Sequence, residues 1–321
     1  MKKLFSLLVA VLMLLTGCSS AVPAPETTDA PKDIYQKTDP GEDGILNILM
    51  IGNSGCFYYV EELHGMLAAV GIKAIVCNVY YDGCKLSQHW TWWKTGESKY
   101  DYYITNDQGR VKTEGVNLEW CLQQQNWDVI SLHEGGMADL RSSAVEISIE
   151  KRHTYLFDLT NYLKEQFPYA SLYWQQPAAY QIGYSRTFTI TTLEEQQKDT
   201  QIFRDLSIAV SRKYNIGWIP RGDAAILVRE GGYDNLCARL GKGENNEGDY
   251  YHDGDWGGGQ FLTASVWFEC LTGESCIGNT YRPVYTQGAM EYRLEEDLVA
   301  TFQEAAHQAV ENMKQTISED A

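Results

Sequence analysis

Positive charge is scarce in this 321-residue chain: 26 Lys and Arg face 43 Asp and Glu, a formal net charge of −17. Such a surface repels phosphate backbones and argues against nucleic acid as a partner. No Cys-x-x-Cys pair occurs, so the common zinc and dithiol arrangements have no footing. Internal repeats and breaks in composition are also missing, which argues against a repeat architecture and against two domains. The serine-hydrolase elbow G-x-S-x-G is absent, because Cys56 stands where its second glycine belongs, and this disfavours an α/β-hydrolase.

The first residues bear on location. Lys2 and Lys3 precede an apolar run from Leu4 to Leu15, too short to span a bilayer and typical of a secretory signal. Leu15-Thr16-Gly17-Cys18 resembles the lipobox of bacterial lipoproteins, which implies cleavage after residue 17 and a lipid on Cys18. The expected localisation is therefore extracytoplasmic, with the chain anchored to the bacterial cell membrane through that lipid. Loss of Lys2 and Lys3 takes the net charge to −19. Seven cysteines then remain beside Cys18, an odd number that leaves at least one free thiol. Residues 18–43 are rich in Pro, Thr, Ser, Asp and Glu without apolar periodicity, as suits a solvated tether. Residues 44–321 are long enough for one large domain with a substantial core.

Within that domain short apolar runs alternate with helical stretches. Ile45 to Ile51, Lys73 to Val79, Trp127 to Leu132, Ser171 to Trp174 and Ile216 to Ile219 read as buried strands. Leu156, Leu159, Leu163 and Phe167 recur at helical spacing, as do Ile202, Leu206, Ala209 and Val210. Leu298 to Met313 marks a long final helix. The alternation predicts an α/β fold: a single three-layer α/β/α domain with a mainly parallel, flavodoxin-like sheet. Residues 90–111 have no clean period and are expected to form a long loop or insertion.

The first strand breaks into Gly52-Asn53-Ser54-Gly55, which puts a serine just past a strand's carboxyl end, where ligands bind in open parallel sheets. A serine hydroxyl needs a histidine to take its proton and an acid to hold that histidine. Six histidines are available: His64, His89, His133, His153, His252 and His307. His252 is favoured because Asp249 stands three residues before it and a helical apolar segment follows. His64, His153 and His307 lie in helical stretches, where packing or surface roles are commoner.

"IGNSGCF" resembles the first block of the SGNH (GDSL-like) hydrolases, with Asn53 where the commoner pattern has Asp. Gly83 in "YYDGCKLSQHW" resembles the glycine block, and "DYYH" the closing Asp-x-x-His block. The resemblance is to a poorly characterised bacterial branch. It implies Ser54 as nucleophile, His252 as base and Asp249 as its partner, with no cofactor. It also implies an oxyanion hole built from the backbone N–H groups of Ser54 and Gly83. One block departs: after "WDVISL" the family supplies an asparagine, whereas this chain reads His133, Glu134, Gly135, Gly136. His133 is the neutral donor nearby and the candidate substitute; a plain strand-end hydrogen bond is the alternative. Cys56 reads as a small buried thiol packed under the turn rather than a second nucleophile.

Asp249, Asp253 and Asp255 around His252 invite a metal reading, but Tyr251 and Gln260 fall where a calcium loop needs ligands. No metal is expected. Trp90, Trp92 and Trp93 follow the glycine block and are candidate sugar-stacking rings, while "YWQQPAAY", from Tyr173 to Tyr180, ends another strand and is a candidate to line the same cleft with Trp174, Gln175 and Gln176. These readings converge on a tethered serine esterase that removes small acyl groups, chiefly acetyl, from carbohydrate. A non-catalytic glycan-binding lipoprotein on the same fold, or an acyltransferase, are the alternatives.

Overall fold

A computed structural model describes residues 41, 43–135, 137–141, 144–233, 236–237, 258–287 and 289–319, all within a compact unit running from Asp33 to Ala321. In chain order the elements are β1 (Leu46–Gly52), a 3-10 turn (Ser54–Cys56), α1 (Val60–Ala69), β2 (Ala74–Tyr80), α2 (Leu86–Thr95), β3 (Tyr100–Asn106) and β4 (Gly109–Val116). Next come α3 (Leu118–Leu122), β5 (Val129–Leu132), α4 (Met137–Arg141), α5 (Val145–Gln166), β6 (Ser171–Gln175), α6 (Leu193–Tyr214) and β7 (Gly217–Ile219). The last are α7 (Arg221–Glu230), α8 (Gly258–Thr272), β8 (Val284–Gln287), β9 (Met290–Arg293) and α9 (Glu296–Glu319).

The central sheet has the order β4-β3-β2-β1-β5-β6-β7. β2, β1, β5, β6 and β7 are mutually parallel, whereas β3 and β4 run antiparallel at one edge. Every residue of β1 is buried, which is why "LNILMIG" is apolar without alternation: parallel strands covered by helices on both faces have no wet side. Helices flank the sheet, and the predicted α/β architecture with its five parallel strands is observed. α8 is buried along its whole length, matching an apolar character that runs right round the helix. Each of its large rings, Phe261, Trp267 and Phe268, contributes about 2–3 kcal/mol by leaving water.

Residues 90–111 are not a loop. They complete α2 and form most of the β3–β4 hairpin. In "YDYYITN" Tyr100 and Tyr102 point inward at a spacing of two and stay fully buried, while β4 is exposed along most of its length. A hairpin with one wet strand and tyrosines in its dry face carries little aliphatic signal, which hid it among polar residues.

The parallel strands, counted in chain order, stand 2-1-3-4-5 across the sheet. In that topology the strand order reverses between β1 and β5, and the crevice beyond their carboxyl ends is the favoured ligand position.

Candidate active site

Ser54 leaves β1 at that crevice. It opens the 3-10 turn, half-buried, and Asn53 caps it: Gly55 N–H donates to Asn53 Oδ1 at 2.8 Å. The same amide donates from Nδ2 to the Cys84 carbonyl at 2.9 Å. A carboxylate could accept the first bond but not donate the second. The asparagine amide thus ties the Ser54 turn to the loop of Gly83 and Cys84.

That loop is held from its other side as well. Leu86 N–H donates to Glu134 Oε1 at 3.2 Å, and Tyr155 Oη–H donates to Glu134 Oε2 at 2.8 Å. Gly135 closes over both: a Cβ there would meet Asn53 Nδ2 and the Cys84 carbonyl oxygen, each at 2.6 Å. Gly83 sits at the exposed bend with φ +61°, a left-handed conformation that glycine adopts without strain. The Gly83 N–H makes no hydrogen bond among the described residues.

The cleft beyond these loops has a volume of about 600 Å³. Ser54, Gly83 and His133, three of the sequence-derived candidates, line it together with Asn53, Glu134 and Gly135. Its walls are tyrosines: Tyr58, Tyr80, Tyr180 and Tyr184. Arg221, at the start of α7, also lines the cleft and donates from Nη1 to the Gly55 carbonyl at 3.0 Å. Of these five the sequence reading reached Tyr180 alone, as the end of "YWQQPAAY". The signal for Tyr80 and Arg221 was position, since they lie at or just beyond the ends of β2 and β7.

The tryptophans are elsewhere. Trp90 Nε1–H donates to Asp158 at 2.8 Å, Trp93 packs on Tyr162 at 4.4 Å, and Trp92 lies edge-on to Tyr100 at 5.7 Å. Helical spacing aims Trp90 and Trp93 at α5 and Trp92 at β3, so these indoles dock α2 rather than line the cleft. Trp174 is fully buried, and its Nε1–H donates to Ser207 of α6 at 3.1 Å. Gln175 follows it in the strand and therefore points to the opposite face, where it is also fully buried. Gln176 and Asp223 bond reciprocally, Nε2–H to Oδ1 at 2.7 Å and backbone N–H to Oε1 at 3.1 Å, pinning α7 to the end of β6. The expectation that Trp90, Trp92, Trp93, Trp174 and Gln175 line the cleft is corrected by these placements. The stretch after β6 reaches the cleft through Pro177, Ala178 and Tyr180 instead.

Of the five described histidines, His133 is the one that lines the cleft. His89 is fully buried with both ring nitrogens bonded, Nε2 to the Gly52 carbonyl and Nδ1 to Tyr100 Oη, each at 3.1 Å. His64 faces Asp107, His153 bonds Tyr214 and His307 bonds Glu269. Asp249 and His252 lie outside the described residues, as does Cys18. His133 continues β5, its N–H donating to the Ile51 carbonyl at 3.0 Å. Burial, reinforced by the Arg221 charge, pushes its pKa down to about 3, so the ring is neutral. Cys56 is buried beneath the turn with its Sγ–H on the Asn53 carbonyl, and burial pushes the thiol up to about 12, far from a reactive thiolate.

A group with metal-ligand chemistry among the described residues is Glu269, His307 and Glu311 on α8 and α9. Its members are already engaged: Glu269 accepts from His307 and from Cys276 N–H, and Glu311 pairs with Lys314.

No curated protein matches the chain by sequence. The crystal structure of a DUF4886 family protein from Bacteroides uniformis superposes with a TM-score of 0.68 at 25% identity, covering 83% of this chain and 95% of that one. A mutant of an acetyl-xylooligosaccharide esterase from Geobacillus Stearmophilus gives a TM-score of 0.44 at 16% identity, covering 74% and 97%; a likeness so distant bears nothing on chemistry. The family model described as a domain of unknown function, DUF4886, matches residues 47–294, and the chain belongs to that family.

Proposed function

We propose that this protein is a serine esterase of the SGNH type that removes small acyl groups, chiefly acetyl, from carbohydrate outside the cytoplasm, tethered by a lipid on Cys18. The observation that carries the reading is Ser54 at the carboxyl end of β1, beside the reversal of strand order, opening on a cleft shared with Gly83 and walled by tyrosines. Flat rings with a polar tip suit sugar faces.

In this reading Ser54 Oγ attacks the ester carbonyl carbon while His252, steadied by Asp249, takes its proton. The oxyanion accepts hydrogen bonds from the N–H groups of Ser54 and Gly83. Collapse breaks the bond to the alcohol, which leaves with the proton from His252, and water then repeats the sequence on the acyl-serine. No cofactor takes part. His133 does not suit the base's role, since a ring whose pKa lies near 3 holds a proton poorly at neutral pH.

The test is acetate release from p-nitrophenyl acetate by the chain from Ser19 onward. Ser54→Ala and His252→Ala are each expected to lower kcat by about 10³-fold or more. Wild-type turnover no faster than that of the variants would overturn the esterase and leave glycan binding as the function of the cleft. Acetyl appearing on an added sugar alcohol instead of in water would make it a transferase.

A further inference from the structure

We propose that His133 supplies a third oxyanion-hole hydrogen bond from its Nε2–H, in the place where related sites use an asparagine, and that buried Gln175 is the positioning residue that fixes the tautomer. The proposal rests on the esterase reading above.

The argument begins with the Gln175 amide, whose orientation is determined at both ends. Trp267 Nε1, a group that can only donate, lies 2.9 Å from one amide atom, which must therefore be the oxygen. Tyr59 Oη–H bonds the same oxygen. At the other end the Gly55 carbonyl, which can only accept, lies 2.7 Å away and demands the nitrogen. Independent partners agree, so the amide cannot be turned round. The second proton on Gln175 Nε2 then points at His133 Nδ1, 3.3 Å away. A donor aimed at Nδ1 requires a lone pair there, and a neutral imidazole with its lone pair on Nδ1 carries its proton on Nε2.

The ring is neutral for a separate reason, its burial beside Arg221. The Gln175 backbone carbonyl also interacts with the ring and favours its charged form, but less than burial and Arg221 disfavour it, and Nε2 makes no hydrogen bond of ordinary geometry among the described residues. It lies against Gly55, the residue after the nucleophile: a Cβ on Gly55 would collide with Nε2, and its contacts with Cδ2 and Cε1 would be 3.0 and 3.1 Å. A neutral, preorientated N–H on a buried ring beside the nucleophile turn is what stabilises charge that appears only in the transition state. With its proton on Nε2 the ring has no lone pair to offer Ser54, so His133 is a donor and not the base. The chain Trp267 and Tyr59 to Gln175 to His133 links α8, the N-cap of α1, β6 and the end of β5, none of which is adjacent in sequence.

The chain from Ser19 onward, labelled with ¹⁵N in its histidine rings, tests the tautomer directly. The His133 resonances are identified by their loss in His133→Asn. At pH 7 the expected spectrum shows a protonated Nε2 and an unprotonated Nδ1, and Gln175→Met shifts that population towards the other tautomer. In kinetics, His133→Leu is expected to lower kcat about 10²–10³-fold with KM within about threefold, as loss of one oxyanion donor does. His133→Asn restores kcat to within about tenfold of wild type, because its amide N–H can take the same place. A proton on Nδ1, an imidazolium at pH 7, or wild-type kcat in His133→Leu when Ser54→Ala is inactive would each overturn the proposal. If Ser54→Ala keeps full turnover, the esterase reading falls and the oxyanion role with it; the spectrum, which needs no activity, separates that result from an error in the tautomer.

Discussion

Two buried histidines, His89 on α2 and His133 at the end of β5, both approach Gly52, and they are used differently. His89 spends both ring nitrogens on the protein, one on the Gly52 carbonyl and one on Tyr100, and stacks on Tyr100 at 5.2 Å. His133 has Nδ1 engaged by Gln175 while Nε2 lies beside Gly55 with no hydrogen bond of ordinary geometry among the described residues. Burial holds both rings neutral, His89 with a pKa of about 4 and His133 of about 3. Desolvation alone therefore does not tell the two rings apart. What separates them is a polar atom left over after the fold has made its own bonds, in the lining of a cleft.

The largest effect on stability is expected from His89→Leu, which strands the Gly52 carbonyl and the Tyr100 hydroxyl in the core and costs about 3–4 kcal/mol at pH 7.5. The pH dependence sharpens this. The folded pKa of His89 lies below its ordinary value of 6.5, so its contribution is complete above that pH. It is lost as the pH falls from there towards 4, because only the unfolded chain takes up the proton. Urea titrations should show the gap between wild type and His89→Leu narrowing by about 2 kcal/mol between pH 7.5 and pH 5. A gap constant with pH would mean that His89 is not held neutral. Turnover per folded molecule should stay within a few-fold of wild type.

Gly55→Ala is the converse test. A methyl group there must displace the His133 ring, and kcat on p-nitrophenyl acetate is expected to fall about 100-fold, the equivalent of losing one aimed donor. Melting should shift less than in His89→Leu. Full activity in this variant would break the contrast between the two histidines. The smallest effect belongs to Trp93→Ala. This ring packs on Tyr162 beneath Lys94, so its loss should cost about 1–2 kcal/mol in melting experiments and leave KM for acylated sugars unchanged. A several-fold rise in KM would return the α2 tryptophans to the binding site.

Much of the fold was legible because its signals are local. Near-continuous apolar runs such as "ILNILMI", broken only by Asn47, mark parallel strands covered on both faces, and Leu156, Leu159 and Leu163 mark a helix by their spacing. The β3–β4 hairpin was not legible, since its dry face is made of tyrosines and one of its strands is wet. In the site, Ser54 could be picked out from the flanking glycines that force a sharp turn, and Gly83 from the resemblance of its segment to a family block. Trp174 and Gln175 could not be sorted, because strand alternation sends neighbours to opposite faces and only the packing of α6 and α8 says what each face meets.

By itself the sequence determined the strand run, the serine at the end of β1 and the surplus of negative charge, since apolar periodicity, glycine conformation and composition act over a few residues or over the whole chain. Only the tertiary structure decided which polar side chains became scaffold and which were left to face the cleft. The glutamine amide that settles His133 is oriented by a tryptophan 92 residues further along the chain. A hydrogen-bond donor can discriminate oxygen from nitrogen only when the folded core has brought it within 3 Å.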